Sequence, residues 1–394
     1  MNEESRILGK KLLLMAVHFP PSIGGSPTLL HNIFRYFPAG SYAAVTQNEG
    51  TFDPNSRLPC KSYSIPKFPF VRFMQRIDAH AWPLLIPFVE RTAFRAQVKE
   101  NAQAIFLNLP DGKFLIAGWR LAKKLSLPYY VFLHDLWEEN EKPINAWFAR
   151  RFEKQILKEA KTVFTINDMA RRYYLEKHGV HSKILLHTID PEFTKMPART
   201  RPKWKPGKTF RIVTSGSIYV DMNLDALLSL NQALAAHPNE RVELRILTAA
   251  MEQSLRDEFR DPRIKIKSCT KQEVWQELTD ADLLYVPLAF RPRSAAEIET
   301  VFPTKITEYA LAGVPILVHG PAHCYTVDYA RQKKWAYTVY RPAHESLWEG
   351  VVRIRDNAAL RERLASAGRK IVKERYAADI SRWLQQELGV IPWG

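Results

Sequence analysis

The sequence predicts an α/β protein of two doubly wound parallel-sheet domains. Three observations carry this. The chain has 394 residues, more than one hydrophobic core usually serves, with an ordinary 46% hydrophobic content. Short apolar runs alternate with helical stretches, the pattern of parallel strands joined by crossover helices. The alternation also breaks once, at a Pro-, Lys- and Arg-rich segment, and then restarts.

The first run opens with KLLLMAVHF as a buried strand, then a glycine loop at Gly24-Gly25 leading into a helix. SYAAVTQ, AIFLNLP, YYVFLHDL and TVFTIN read as further strands, separated by helices over NAWFARRFEKQILKEA and NDMARRYYLEKHG. Residues 1–190 form this domain. Residues 191–208, PEFTKMPARTRPKWKPGK, lack periodicity and read as the linker. Residues 209–370 repeat the pattern: strand FRIVTSGSI, helix LDALLSLNQALAAH, strand VELRILT, a helix over 251–259, strand IKIKSC, and a helix leading into LLYVPL. Residues 371–394 are helical and are expected to cross back onto the first domain.

Composition narrows the function. Cys60, Cys269 and Cys324 are far apart with no C-x-x-C pair, against both a disulfide framework and a structural zinc site, and in keeping with a reducing cytoplasm. No window reaches the ~18 apolar residues of a membrane span, and the N-terminus lacks a signal peptide's cleavage site. A net charge of +16 suits nucleic acid or an anionic membrane surface, but no nucleic-acid-binding motif accompanies it. Between Arg57 and Lys99, eight basic and two acidic residues interleave with Phe68, Phe70, Phe73, Trp82, Leu84, Phe88 and Phe94. That mixture fits a membrane-surface helix pair, or equally a helical layer packed on a sheet with solvated cations.

The most specific segment is FPTKITEYALAGVPILVHGP, 302–321. Pro303 and Thr304 suit a helix start, Gly313 a helix stop, and Pro315 the approach to a strand. Lys305 and Glu308 fall on one face in the first turns, where open backbone N–H groups and the dipole favour an anion such as a diphosphate. Glu308 can accept from ribose hydroxyls. A surface Lys–Glu pair on an ordinary helix reads the same two residues. Asp280 and Asp282 form a D-x-D pattern, but at a helix-to-strand junction, and no metal site is expected there.

This segment resembles the donor-binding motif of glycosyltransferase family 4, matching at Phe302, Pro303, Lys305, Glu308, Tyr309, Ala312, Gly313 and Pro315. The glycine loop, His134-Asp135, TIDPEF and SGSI fall in family order, so the resemblance spans the chain. It implies the GT-B fold and retaining transfer from a nucleotide-sugar donor in the cleft between the domains, with no cofactor, no enzyme metal, and a hinge near 190–208. UDP is the nucleotide expected. The resemblance also implies residue roles: Glu308 on the ribose, main-chain groups near Cys269 and Thr270 beside the base, Gly24-Gly25 near the donor phosphate, and His134 on the donor sugar. Ser215, Gly216, Ser217, Thr300, Phe302, Pro303 and Thr304 complete the donor set.

Two departures stand out. The acid expected eight positions before Glu308 is Thr300, with Glu299 one residue out of register. The basic pair expected after Gly216 is absent, the chain reading Ser217, Ile218, Tyr219, Val220. Lys305 with Arg291 or Arg293 is expected to carry the diphosphate charge. The acceptor is expected to be a sugar or lipid-linked hydroxyl in polysaccharide or glycolipid synthesis, at the cytoplasmic face of a membrane touched through 57–99. A sugar-nucleotide epimerase of the same fold and an inactive transferase-like subunit are the rival readings.

Overall fold

The computed structural model describes residues 9–391 except 23, 48–51, 66–72, 74–75, 78–79, 110, 190–192, 194, 197–202, 249–250 and 252. Phe68 and Phe70 of the basic aromatic stretch, and much of the expected linker, lie outside the described residues. The chain divides into two compact units, Met1–Thr188 with Ala377–Gly394, and Ile189–Tyr376.

The first unit is built on a seven-stranded parallel sheet: β1 (Leu12–Met15), β2 (Tyr42–Thr46), β3 (Lys61–Ser64), β4 (Ala104–Asn108), β5 (Tyr129–Leu133), β6 (Thr162–Thr165) and β7 (Ser182–Ile184). Their order is β3-β2-β1-β4-β5-β6-β7, with Leu12 in register with both Tyr42 and Ala104. Every residue of β1, β2, β4 and β5 is buried. Helices cover both faces of such a sheet, which is why these strands read as unbroken apolar runs. The helices are α1 (Gly25–Phe34), α2 (Ile86–Glu100), α3 (Gly112–Leu125), α4 (Pro143–Glu159) and α5 (Asp168–His178). Asp111 caps α3 by accepting from the amides of Lys113 and Phe114, and Asn167 caps α5 by accepting from Ala170. Strand order reverses between β1 and β4, the position where open α/β sheets leave a crevice beyond the strand ends.

The second unit holds a six-stranded parallel sheet of β8 (Phe210–Ser215), β9 (Val242–Leu247), β10 (Ile264–Lys267), β11 (Leu283–Pro287), β12 (Ile316–His319) and β13 (Tyr337–Val339). The order is β10-β9-β8-β11-β12-β13, with the reversal between β8 and β11. Its helices are α6 (Asp225–Ala236), α7 (Lys271–Asp280), α8 (Ala295–Thr300), α9 (Lys305–Ala312), α10 (Tyr325–Lys333), α11 (His344–Asp356) and α12 (Ala358–Lys373). Phe210, Ile212, Leu230, Leu244, Tyr285 and Leu347 lie at the centre of its core. The helix expected over 251–259 is only a single turn, Gln253–Arg256. Beyond it Arg263 ties the chain back, bonding Asp261 and the carbonyls of Leu234 and His237, so the polypeptide turns early into β10.

The last helix, α13 (Ala377–Leu388), returns to the first unit as expected. Ser381 Oγ donates to the carbonyl of Ile33 at 2.8 Å, and Gln385 Nε2 to that of Tyr36 at 3.0 Å. These bonds fasten α13 to carbonyls at and just beyond the C-terminal end of α1.

Candidate active site

In the second unit α9 holds the end of β8 by its backbone. Tyr309 Oη accepts from Ser215 N at 2.6 Å and lies 3.1 Å from Ser215 Oγ, while Lys305 Nζ donates to Ser215 O at 2.9 Å. All three polar groups of Ser215 are therefore engaged by one helix. The chain then leaves through Gly216, at a φ of 101° that disfavours any residue with a Cβ, and exposes Gly216 and Ser217. Gly313 closes α9 in the left-handed conformation, with a φ of 66°.

Lys305 is the electrostatic centre of this edge. Among the described residues no carboxylate pairs with it, and burial pushes its ammonium down to about 8. One of its three N–H donors is used on Ser215 O, which leaves two that an anion could take. The open amides expected at the start of α9 need a correction. Ile306 N and Thr307 N bond back to the carbonyls of Pro303 and Thr304 in a tight first turn, and Thr304 makes no side-chain cap. The donors at this edge are those of the Lys305 side chain more than those of the helix terminus.

Across the strand reversal, Asp225 at the start of α6 fixes the loop after β11. Its Oδ2 accepts from Phe290 N at 2.9 Å and Arg291 N at 3.0 Å, and its Oδ1 from Ala226 N at 2.7 Å. Arg291 and Arg293 extend from this fixed loop with exposed side chains. Below it, buried His319 lies 2.8 Å from Tyr285 Oη through Nδ1 and 2.9 Å from Arg341 O through Nε2, and burial lowers its pKa.

Other residues expected in the donor set have structural tasks. Thr300 is buried, and its hydroxyl donates to Ala296 O at 2.9 Å inside its own helix, so it offers a ligand little. Phe302 is buried beneath Tyr325 and Tyr329, with the Arg375 guanidinium 4.5 Å from its ring centre. Thr270 forms a capping box with Glu273, and its amide and carbonyl are both taken, the carbonyl by Val274 N. Its neighbour Cys269 is half-buried. Glu308 stays half-buried in the first turn of α9, and its charge helps raise the pKa of Tyr309. Of the D-x-D pair, Asp282 accepts from Arg211 N and Asp280 from Gln276 Nε2, both tasks within the fold.

In the first unit Gly24 precedes α1 with a φ of 154°, and its carbonyl accepts from Thr28 N. A Cβ there would meet only Pro27 at 3.5 Å, so the glycine serves conformation more than clearance. Ser26, next to Gly25, accepts from Asn108 Nδ2 at 3.1 Å, which ties the loop to the end of β4. His134 follows β5 with Nδ1 3.1 Å from Asp135 Oδ2. Its Nε2 is buried with no hydrogen-bond partner, which leaves one ring nitrogen for a ligand. The neighbouring His134 and His187 hold the Asp135 carboxyl below its ordinary value.

Beside this lies a residue the motif reading did not select. Glu141 accepts from Trp82 Nε1 at 3.0 Å through both oxygens, and burial together with the Asp111 charge pushes it up to about 7. Nothing in the sequence around Glu141 marks it, because its partner Trp82 lies 59 residues away. Asp225 and the anchoring role of Tyr309 were equally hidden, because their partners are backbone amides 65 and 94 residues away.

Comparison with known proteins follows this geometry. Residues 46–187 match the family model described as a glycosyl transferase 4-like domain. No curated protein is significantly similar in sequence. Among solved structures, a sucrose-phosphate synthase from Thermosynechococcus elongatus aligns at 15% identity and a TM-score of 0.74, covering 96% of this chain and 98% of that one. HepE of Anabaena in complex with UDP and glucose aligns at 15% identity and 0.67, over 96% and 99%. The trehalose-6-phosphate synthase OtsA aligns at 12% identity and 0.70, over 97% and 99%. The chain has the GT-B fold, and over residues 46–187 it is similar to the expected kind of glycosyltransferase domain.

Proposed function

We propose that this protein is a glycosyltransferase that moves a sugar from a nucleotide diphosphate sugar to an acceptor hydroxyl. The observation that carries the reading is Lys305, a desolvated ammonium without a carboxylate partner at the end of β8. In this proposal Lys305 takes the donor diphosphate, and the developing negative charge of the leaving group is stabilised there and by Arg291 or Arg293 on the loop fixed by Asp225. These cations replace both the absent basic pair after Gly216 and an enzyme metal. Glu308 receives the ribose hydroxyls and Cys269 lies beside the base. The open Nε2 of His134 bonds a hydroxyl of the donor sugar, and the Gly24-Gly25 loop admits the phosphate. Transfer proceeds with retention, the acceptor hydroxyl attacking from the face the diphosphate leaves. UDP is favoured because HepE, of similar fold, has been crystallised with UDP and with UDP-glucose. The proposed setting is polysaccharide or glycolipid synthesis at the cytoplasmic face of a membrane.

A thermal-shift comparison of UDP, GDP and ADP tests this. A ligand at 100 times its dissociation constant adds about 2.7 kcal/mol of stability, so UDP should raise the midpoint clearly. A chain that responds to none of the three is not a nucleotide-sugar transferase. Release of UDP from the donor that depends on an added acceptor then separates transfer from epimerisation, which converts the donor alone.

A further inference from the structure

We propose that the edge of the first unit carrying His134 docks on an anionic lipid bilayer, with Leu84, Phe88, Ile144 and Trp147 as the inserted tip. The acceptor of the transfer proposed above is then lipid-linked; that last step rests on the transferase reading, whereas the docking does not.

Topology places the four residues together. Helix α4 follows β5, so it begins at the C-terminal edge of the parallel sheet, while α2 precedes β4 and also begins there. This is the edge that holds the Gly24 loop and His134. Trp82, just ahead of α2, packs 6.0 Å from Phe148 of α4, and Lys142 Nζ lies 3.5 Å from His80 Nε2. The two helix starts are therefore neighbours. On them the large apolar side chains are open: Leu84 is 64% exposed, Trp147 56%, Ile144 52% and Phe88 39%. Soluble surfaces seldom group such residues unless something covers them.

Charge identifies what covers them. Arg91 and Arg95 follow Phe88 on α2, and Arg150 and Arg151 follow Trp147 on α4, all exposed. Three or four residues is one helical turn, about 5 Å. Apolar tips at the helix starts with guanidinium groups one turn behind give the depth order of an interfacial protein, side chains in the acyl boundary and cations at the phosphates. The acids nearby are engaged, Glu90 with Arg120 at 3.1 Å, and Glu138 with Lys177 at 2.9 Å and with Arg150 at 3.5 Å. A second copy of this chain is the poorer occupant, since a basic face on a protein of charge +16 repels itself. Nucleic acid would match the arginines but leave the apolar tip in water.

The test is co-sedimentation with vesicles of phosphatidylcholine alone and of phosphatidylcholine with 30% phosphatidylglycerol, using the wild type, Leu84→Ser/Trp147→Ser and Arg91→Gln/Arg151→Gln. The wild type should bind the anionic vesicles, more weakly at 0.5 M salt. The apolar double variant should bind them about tenfold less, on the order expected for two partly inserted side chains. The arginine pair should lose the preference for anionic over neutral vesicles. Vesicle binding that survives Leu84→Ser/Trp147→Ser, or a wild type that stays in solution, overturns the proposal. So does a concentration-dependent dimer that the same variant abolishes without vesicle binding by the wild type. The UDP thermal shift of each sample reads the donor site separately, so failure of docking and failure of the transferase reading are distinguishable.

Discussion

The two sheet edges are organised on opposite principles. In the second unit, polar side chains are used on backbone: Tyr309 and Lys305 hold Ser215, and Asp225 holds Phe290 and Arg291. The loops are fixed from within, and Lys305 has no carboxylate partner among the described residues. The first unit does the reverse. His134 Nε2 and Asn108 Oδ1 are buried without hydrogen-bond partners, Glu141 is held near neutrality, and apolar side chains stand open at the helix starts. A fixed, electrostatically simple edge suits one recurrent group such as a diphosphate. An edge with unmet hydrogen bonds and uncovered apolar surface suits a bulkier partner that completes it.

Lys305→Ala should break the comparison most severely. Without this ammonium, turnover of the donor should fall by about 10²–10³, the usual cost of removing a charge-stabilising donor, and the UDP thermal shift should disappear. Turnover at the wild-type rate would show that the diphosphate lies elsewhere. In the intact protein UDP requires the charged ammonium, whose free pKa is pushed down to about 8. Binding therefore takes up a proton. Affinity measured by calorimetry should be constant near pH 7 and fall as pH rises through 8, by up to about tenfold per unit, with no such fall in Lys305→Ala.

Asp225→Ala tests whether the second edge is held from within. It leaves the amides of Phe290 and Arg291 without their acceptor, so unfolding by urea should show a loss of about 2–3 kcal/mol. Donor KM should rise more than kcat falls, because the arginines are misplaced and the chemistry at Lys305 is not.

Glu141→Gln addresses the first edge. A carboxyl with an ordinary value near 4.5 that is raised to about 7 on folding binds its proton more tightly in the native state. Its favourable contribution is complete below pH 4.5 and is lost as pH rises to 7. The amide should thus leave stability unchanged at pH 4.5 and raise it at pH 8, on the order of 2 kcal/mol in chemical denaturation. Equal effects at both pH values would mean that Glu141 is not the strained group.

Thr300→Val should do least. The hydroxyl bonds helix carbonyls, Ala296 O at 2.9 Å and Glu297 O at 3.4 Å, so donor KM should stay within about twofold and stability within about 1 kcal/mol. A large rise in KM would return Thr300 to the donor site.

Much of this was legible along the chain, because the relevant interactions there are local. Apolar runs bounded by loops mark parallel strands buried on two faces. The Lys305–Glu308 spacing sets both on one helical turn, and Gly313 with Pro315 punctuates helix and strand. The two-sheet architecture and the returning C-terminal helix followed from such periodicities. Motif similarity, by contrast, says nothing of how these side chains are engaged: the Phe302 ring lies against the Arg375 guanidinium, and the Thr300 hydroxyl bonds carbonyls of its own helix.

The sequence by itself determined the strands, the helices, their alternation and the site helix α9, since each depends on residues within a few turns of one another. Only the tertiary structure decided which charges are strained and which surfaces are left open. Burial and pairing are properties of distant segments brought together: Ser215 under Tyr309, Glu141 under Trp82, and the start of α2 beside that of α4.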